Sequence, residues 1–516
     1  MDTGSDATGT RAAPLVLRDV RLGLGGPRGH VRIEGGRIAA VTPEDGAPPA
    51  EVATAPARTA PAEVVDCGGR TLLPGLHDAH VHMVQWAAAR RRVDLSAARS
   101  ARQAAAAMAS AAVGGQFAED EPLIGFGFRD ALWPDRPDPA LLAWSADPPR
   151  VVALVSNDLH TAWLGQQALR SIGLSPADHP TGVLREEACL DAVARLETAT
   201  AEVRDRWVED AVRAAAARGV TGFLDFEYAD TLADWTRRAA AGPLNCRVAA
   251  AVYPAHLEQA IAEGRRTGDV VPGTDGLLTV GPLKLFVDGS LNTRTALCHQ
   301  PYPDARAGQE HGVLQTGPEE LARLMTRAAE HGIRSAVHAI GDRANSLALE
   351  AFETVDGPGR IEHAQLVDRR DLPRFARPGL VLGVQPAHAV DDRDVADHHW
   401  AGRTDRAFAY AELLGAGARL EIGSDAPVSP LDPWVGVAAA VHRTGADGRP
   451  GWHPEQAIGL AYALAAAAGG RRALRVGDPA DLVLPEHDPA TAPPELLRTM
   501  PVFGTLVAGR WTHRAR

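Results

Sequence analysis

The sequence predicts an α/β fold: a (β/α)8 TIM-like barrel, a small β-sandwich built from both chain ends, and a long insertion after barrel strand 1. Three observations carry this. Eight apolar runs, each bounded by helical patterning, end in polar or ionisable residues. Short strand-like segments broken by Gly and Pro occupy both ends of the chain. About 135 residues separate the first apolar run from the second, where a simple crossover needs a few tens.

In chain order, residues 1–73 are assigned to the N-terminal part of the sandwich. Residues 1–13 are polar and glycine-rich, without the charged start and apolar core of a signal peptide. The alternation Val31-Arg32-Ile33-Glu34 and the run Arg37-Ile38-Ala39-Ala40-Val41 read as strands, and the Pro/Ala-rich stretch 42–63 as an exposed loop. Val64-Val65-Asp66 and Thr71-Leu72-Leu73-Pro74 follow as further strands. Residues 74–473 form the predicted barrel, with an insertion subdomain at about 83–218. That insertion carries strands of its own near 122–128 and 151–156, and its length suits a lid over the barrel mouth. Residues 474–516 return to the sandwich through Asp481-Leu482-Val483-Leu484 and the run around Leu506.

Within the barrel the apolar runs end at His80-Val81-His82, Leu224-Asp225-Phe226-Glu227, Val252-Tyr253, Lys284, Val337-His338, Glu362-His363, Val384-Gln385-Pro386 and Gly423-Ser424-Asp425. Barrel enzymes carry their chemistry at these carboxyl ends. Helices fit between the runs. Pro318 opens one, Leu321, Leu324, Met325 and Ala328 stripe its face, and Gly332 stands where a C-terminal cap belongs. Val203, Trp207, Val208, Ala211 and Val212 stripe another.

Lys284 is the one lysine among 53 Lys plus Arg, and it lies inside an apolar run. A desolvated lysine amine can lose its proton and react, which a guanidinium cannot do. Two chemistries suit it: a Schiff base, or a carbamate whose oxygens bridge two divalent metals. His80 and His82 share a strand face at period two, and His338, His363 and Asp425 end later strands. Four imidazoles, a carbamate and a carboxylate form a ligand set for zinc, manganese or iron, and an aldolase-type barrel needs no such ring.

The net charge of −12 argues against a nucleic-acid or anionic-membrane partner. Cys67, Cys189, Cys246 and Cys298 are far apart with no Cys-x-x-Cys, so neither a disulfide framework nor a thiolate zinc site is expected. A cytoplasmic enzyme acting on a small molecule is the expectation, with a homo-oligomer left open. His160 and Trp163 are candidates to reach the pocket from the insertion, and Trp86, Trp133 and Trp434 to give it an apolar lining. His77, His388, His398, His399 and His453 read as surface histidines.

Five ordered motifs resemble the amidohydrolase superfamily, in the branch that includes N-substituted formamide deformylases. They are the LPGLHDAHVH run ending at His82, KLFVDGSLNTRT from Lys284, VHAIGDRA around His338, RIEHAQ around His363 and GSDAPV around Asp425. Val476 to Val483 is similar to the family's closing strand, while Leu460-Ala461-Tyr462-Ala463 departs from its usual Tyr-Thr pair. The resemblance implies hydrolysis of an amide or formamide C–N bond by one or two divalent ions, zinc foremost. His80, His82, Lys284, His338, His363 and Asp425 are the implied ligands, with Lys284 N6-carboxylated in the two-metal case and an ammonium that orients the substrate in the one-metal case. Asp425 is the implied base and later acid, and His363 polarises the carbonyl if no metal does so. Asp288, Asn292 and Arg294 are implied substrate contacts. The alternatives are a hydrolase of cyclic amides or N-acyl amino acids, in which Arg294 pins a carboxylate, and a metal-binding or regulatory homologue without turnover.

Overall fold

The computed structural model describes residues 13–44, 62–114, 121–144, 150–303, 305, 308–355 and 357–515. Most of the predicted 42–63 loop and nearly all of 1–13 lie outside them.

Both chain ends join one sheet. Strands Leu15–Leu22, Arg28–Glu34, Arg37–Pro43, Glu63–Asp66 and Thr71–Pro74 come from the front, and Leu482–Pro485, Val502–Val507 and Arg510–Arg514 from the back. Thr71–Pro74 is the seam: Arg21 and Leu22 pair parallel with Thr71 and Leu72, while Leu482 and Val483 pair antiparallel with Pro74 and Leu73. Alternating apolar residues from the two ends, including Leu17, Val31, Ile33, Leu482, Leu484 and Leu506, pack as a single core. At the tight hairpin pairing Glu34 with Arg37, Gly35 and Gly36 take φ of +56° and +77°, the left-handed pair that matches strand twist.

The eight barrel strands are Leu76–Val81, Val220–Asp225, Arg247–Val252, Leu278–Phe286, Ser335–Ala339, Gly359–His363, Leu380–Val384 and Arg419–Ile422. Each hydrogen-bonds in parallel to the next. Covered on both faces, such strands read as continuous apolar runs, which is why the sequence displays them. Past the strand ends, the His82 amide donates to Ala426 O at 2.8 Å and the Asp425 amide to His80 O at 2.8 Å, joining the eighth run to the first. Helix Pro318–Glu330 buries Leu321, Met325 and Ala328, and Gly332 beyond it has φ +75°. Helix Ala201–Ala216 is capped by the Thr200 side chain, which accepts from the Val203 amide, and it buries Val208, Ala211 and Val212.

The insertion has its own five-stranded sheet, ordered Val183–Arg185, Thr161–Leu164, Val152–Ser156, Leu123–Phe128 and Val93–Asp94. Helix Ala201–Ala216, within the predicted insertion limits, shares its hydrophobic cluster with Val220, Phe223 and Val248 of the barrel. The four cysteines are free and buried, and among the described residues no helix is long and apolar enough to cross a membrane.

Because Leu482 is fully buried where the two chain ends meet, Leu482→Ala should cost about 2 to 5 kcal/mol. A thermal scan should show this as a lowered melting transition.

Candidate active site

The predicted ligands converge at the carboxyl ends of the barrel strands. His82 Nε2 lies 3.3 Å from Asp425 Oδ1, His80 Nε2 lies 3.4 Å from the same oxygen, and Lys284 Nζ lies 3.4 Å from His80 Nε2. The donor atoms of His80, His82 and Asp425 all fall within 4.8 Å of one another, as do those of His363, His388 and Asp425. The His338 and His363 rings stand edge to face, 4.4 Å between centroids. His338 Nε2 donates to Gly289 O at 3.1 Å, leaving its Nδ1 as the free ligand atom.

Buried partners orient these rings. His80 Nδ1 donates to Glu362 Oε2 at 2.9 Å, so Nε2 keeps its lone pair toward Asp425. Glu362 in turn accepts from Arg360 Nε at 2.7 Å; burial alone would raise its pKa, but Arg360 and His80 hold it far below the usual carboxylate range. Gly383 makes room for that carboxylate, since a Cβ there would meet Glu362 Oε2 at 2.0 Å. His363 Nδ1 donates to Gln385 Oε1 at 2.9 Å, again freeing Nε2. His363 and Asp425 take φ of +77° and +58°, backbone strain of the kind that concentrates at functional sites.

Electrostatics suit a cation. Burial, with Lys284 nearby, pulls His80 down to about 4, and burial keeps His338 and His363 well below the ordinary histidine range, so these rings are neutral. Burial would raise Asp425, yet His80, His82 and His363 hold it well below the carboxylate range, and it is anionic. Lys284 is 1% exposed, and burial brings its amine down to about 8. The buried His82 Nδ1 has no hydrogen-bond partner among the described residues. Neutral imidazoles, one carboxylate and an amine that can shed its proton fit a divalent ion.

The ring opens into a cavity of about 480 Å³, also lined by Tyr228, Phe286, Leu190 and Val313. Tyr228 is 46% exposed and stacks between His82, at 5.8 Å and 8°, and Phe286, at 5.5 Å and 15°. The insertion adds Asp158, His160 and Glu186. Burial would lower the His160 pKa, but its 2.6 Å hydrogen bond to Glu186 outweighs this and raises it to about 9. A larger cleft of about 790 Å³, lined by Arg90, Arg91, Arg92 and Trp207, shares no residue with the ring, and chemistry rather than size identifies the site.

Several expectations need correction. Trp163, in strand Thr161–Leu164, is fully buried in the insertion's core, while His160, in the bend just before that strand, lines the cavity. Trp86, Trp133 and Trp434 likewise pack in hydrophobic clusters and line neither chamber of the site. Asp288 lines neither chamber of the site; its buried carboxylate accepts from the Leu297, Ile340 and Gly341 amides at 2.8 to 3.0 Å, pins two loops together and lies 3.6 Å from His338 Nε2. Arg294 lies outside the lining, whereas Asn292 borders a smaller chamber beside His363. His388 and His399 are each 4% exposed, not surface residues. The motifs do not single out Glu362, Gln385, Glu186 or Tyr228; the one sequence signal among them is the acidic Glu362 directly before His363 at the end of an apolar run.

The family model described as Amidohydrolase family matches residues 63–513. This chain belongs to the amidohydrolase family. It is 27% identical to YtcJ of Bacillus subtilis (strain 168) over 87% of this chain and 90% of that protein. It is 26% identical to the N-substituted formamide deformylase of Arthrobacter pascens over 93% of this chain and 94% of the relative. The fold is similar to that of an uncharacterized metal-dependent hydrolase from Pyrococcus horikoshii OT3, with a TM-score of 0.75 and 24% identity over 94% of this chain and 99% of the other.

The Glu362 carboxylate should matter for metal affinity although it touches no metal. Glu362→Gln should weaken binding about 10- to 100-fold in a competition titration against a chelating dye.

Proposed function

We propose that this amidohydrolase-family protein is a metal-dependent hydrolase that cleaves the C–N bond of a small, largely apolar amide or N-substituted formamide. The observation that carries this is the convergence of His80, His82, His363, Lys284 and Asp425 on one cavity bordered by Tyr228 and Phe286. The similarity to a relative named N-substituted formamide deformylase supports the formamide part. His80, His82 and Asp425 would hold one ion, and His338, His363 and a carbamate of Lys284 a second. A divalent ion held there, zinc by its donor preferences, supplies a Lewis acid and lowers the pKa of water to about 7.

The residues divide the remaining work. Asp425, anionic and beside the ring, takes a proton from the attacking water. As water oxygen bonds the carbonyl carbon and the C–N bond breaks, Asp425 returns that proton to the departing amine nitrogen. His363 polarises the carbonyl oxygen where it is not itself a ligand. Tyr228 and Phe286 offer flat apolar surface to the amine substituent, and His160 and Asn292 border it with polar groups. Arg294 does not line the cavity, which weighs against a substrate carboxylate pinned there and so against the N-acyl amino acid alternative. The four free, buried cysteines are consistent with a reducing, cytoplasmic setting.

A hydrolysis screen of simple amides and formamides on metal-replete protein tests the proposal, and no turnover of any member would count against it. With a substrate in hand, Asp425→Asn should lower kcat by about 10²- to 10⁴-fold while most metal is retained. A near-normal kcat would remove its role as proton carrier. His80→Ala combined with His82→Ala should strip metal, as read by elemental analysis.

Lys284 separates the one-metal from the two-metal form. Lys284→Arg keeps the charge but cannot form a carbamate, so it should lose one ion and most activity, and a short-chain acid should partly restore Lys284→Ala. Mass spectrometry of the intact protein under carbon dioxide should show an added carboxyl group. One ion per chain with an unmodified amine would leave a mononuclear site in which Lys284 orients the substrate.

A further inference from the structure

Beyond the ring, a small chamber of about 70 Å³ shares His338, His363 and Asp425 with the main cavity and is closed on one side by His388. His388 comes from the short helix Pro386–Asp391 that follows the seventh barrel strand. It is 4% exposed, and its Nδ1 faces the Gln365 carboxamide nitrogen at 3.4 Å. A carboxamide nitrogen only donates, so His388 Nδ1 accepts and its Nε2 carries the hydrogen. Among the described residues nothing accepts from that Nε2. A buried N–H without an acceptor is costly, and such groups in native proteins are rare enough to require a reason. A ring nitrogen of His388 lies within 4.8 Å of ligand-type atoms of both His363 and Asp425, so His388 stands beside the proposed ions.

We propose that His388 is a further catalytic residue, whose Nε2–H donates to an oxygen of the substrate's acyl group. This rests on the hydrolase reading of the same site and deepens it. With Nδ1 accepting from Gln365, Nε2 carries the hydrogen and offers no lone pair to a metal, so the N–H is free to donate. An N–H fixed at the wall of a small chamber suits a carbonyl oxygen that gains negative charge as water adds, with no reorganisation required at that moment. Gln365 is then a positioning residue that sets the tautomer of His388.

Acetate, the carboxylate left when a small amide is hydrolysed, serves as probe on metal-loaded protein. Calorimetric titration should give an acetate Kd about 10- to 100-fold weaker in His388→Ala than in wild type, the range for a hydrogen bond to a charged group. Ions per chain should be unchanged. His388→Gln, which presents an amide N–H close to the former Nε2, should recover most of the binding, whereas a lost metal ligand would not be restored by a carboxamide. Equal acetate affinity in wild type and His388→Ala, no measurable acetate binding to wild type, or loss of an ion in His388→Ala would each overturn the proposal. Amide turnover is read separately: a wild type that binds acetate through His388 but hydrolyses no amide would defeat the hydrolase reading and, with it, the catalytic part of this one.

Discussion

The closure of the barrel between its last strand and its first is also the assembly of the site. The Asp425 amide donates to His80 O, the His82 amide to Ala426 O, and Asp78 Oδ1 accepts from the Ser424 and His80 amides. Gly423 is required at this seam, since a Cβ there would meet the His80 amide nitrogen at 2.5 Å. These backbone contacts hold the Asp425 carboxylate against His80, near the end of the first strand, and His82 just past it. A barrel that failed to close would therefore lose its ligand set along with its shape, and the same hydrogen bonds serve stability and chemistry.

Closure gathers many ionisable groups into a space that water scarcely reaches, and burial of unpaired charge is expensive. The chain meets this in two ways. Glu362, which has no cavity role, is neutralised within the protein by Arg360, itself held by Glu421 at 2.6 Å. Histidines and Lys284 are instead driven toward their neutral forms by burial. The carboxylate of Asp425 is left facing the ring nitrogens of His80 and His82, an arrangement that a cation completes.

The barrel was legible because parallel strands buried on both faces leave long apolar runs, and because their final residues are chemically conspicuous. His80, His82, Lys284, His338, His363 and Asp425 stand out by type and position alone. What the sequence concealed depends on side-chain direction off the regular strands. His160 and Trp163 are near neighbours in one segment, yet one lines the cavity and the other fills a core. Asp288, in a loop, turns its carboxylate to three amides and not to the cavity. His388 sits on a six-residue helix too short for a periodicity argument, and only its burial distinguishes it from the exposed His398 on the next helix.

The insertion supplies part of the cavity wall. It is tied to the barrel at the cavity rim by Asn157 Nδ2 donating to Val428 O at 2.7 Å, Ser290 Oγ donating to Asp158 Oδ2 at 3.1 Å and Thr295 Oγ1 donating to Glu186 Oε1 at 3.0 Å. Arg129 adds partly exposed ion pairs with Asp391 and Asp392, which contribute little by themselves in water. Since Glu186 is also the partner of His160, the contact that docks the insertion orients a cationic group toward the cavity. Substrate selection can thus diverge through the insertion while the ring is left intact, because no expected metal ligand belongs to it. The candidate metal ligands come from the barrel, while Asp158, His160, Glu186 and Leu190 reach the cavity wall from the insertion, outside the strands of its sheet, so the two sets of residues can change independently.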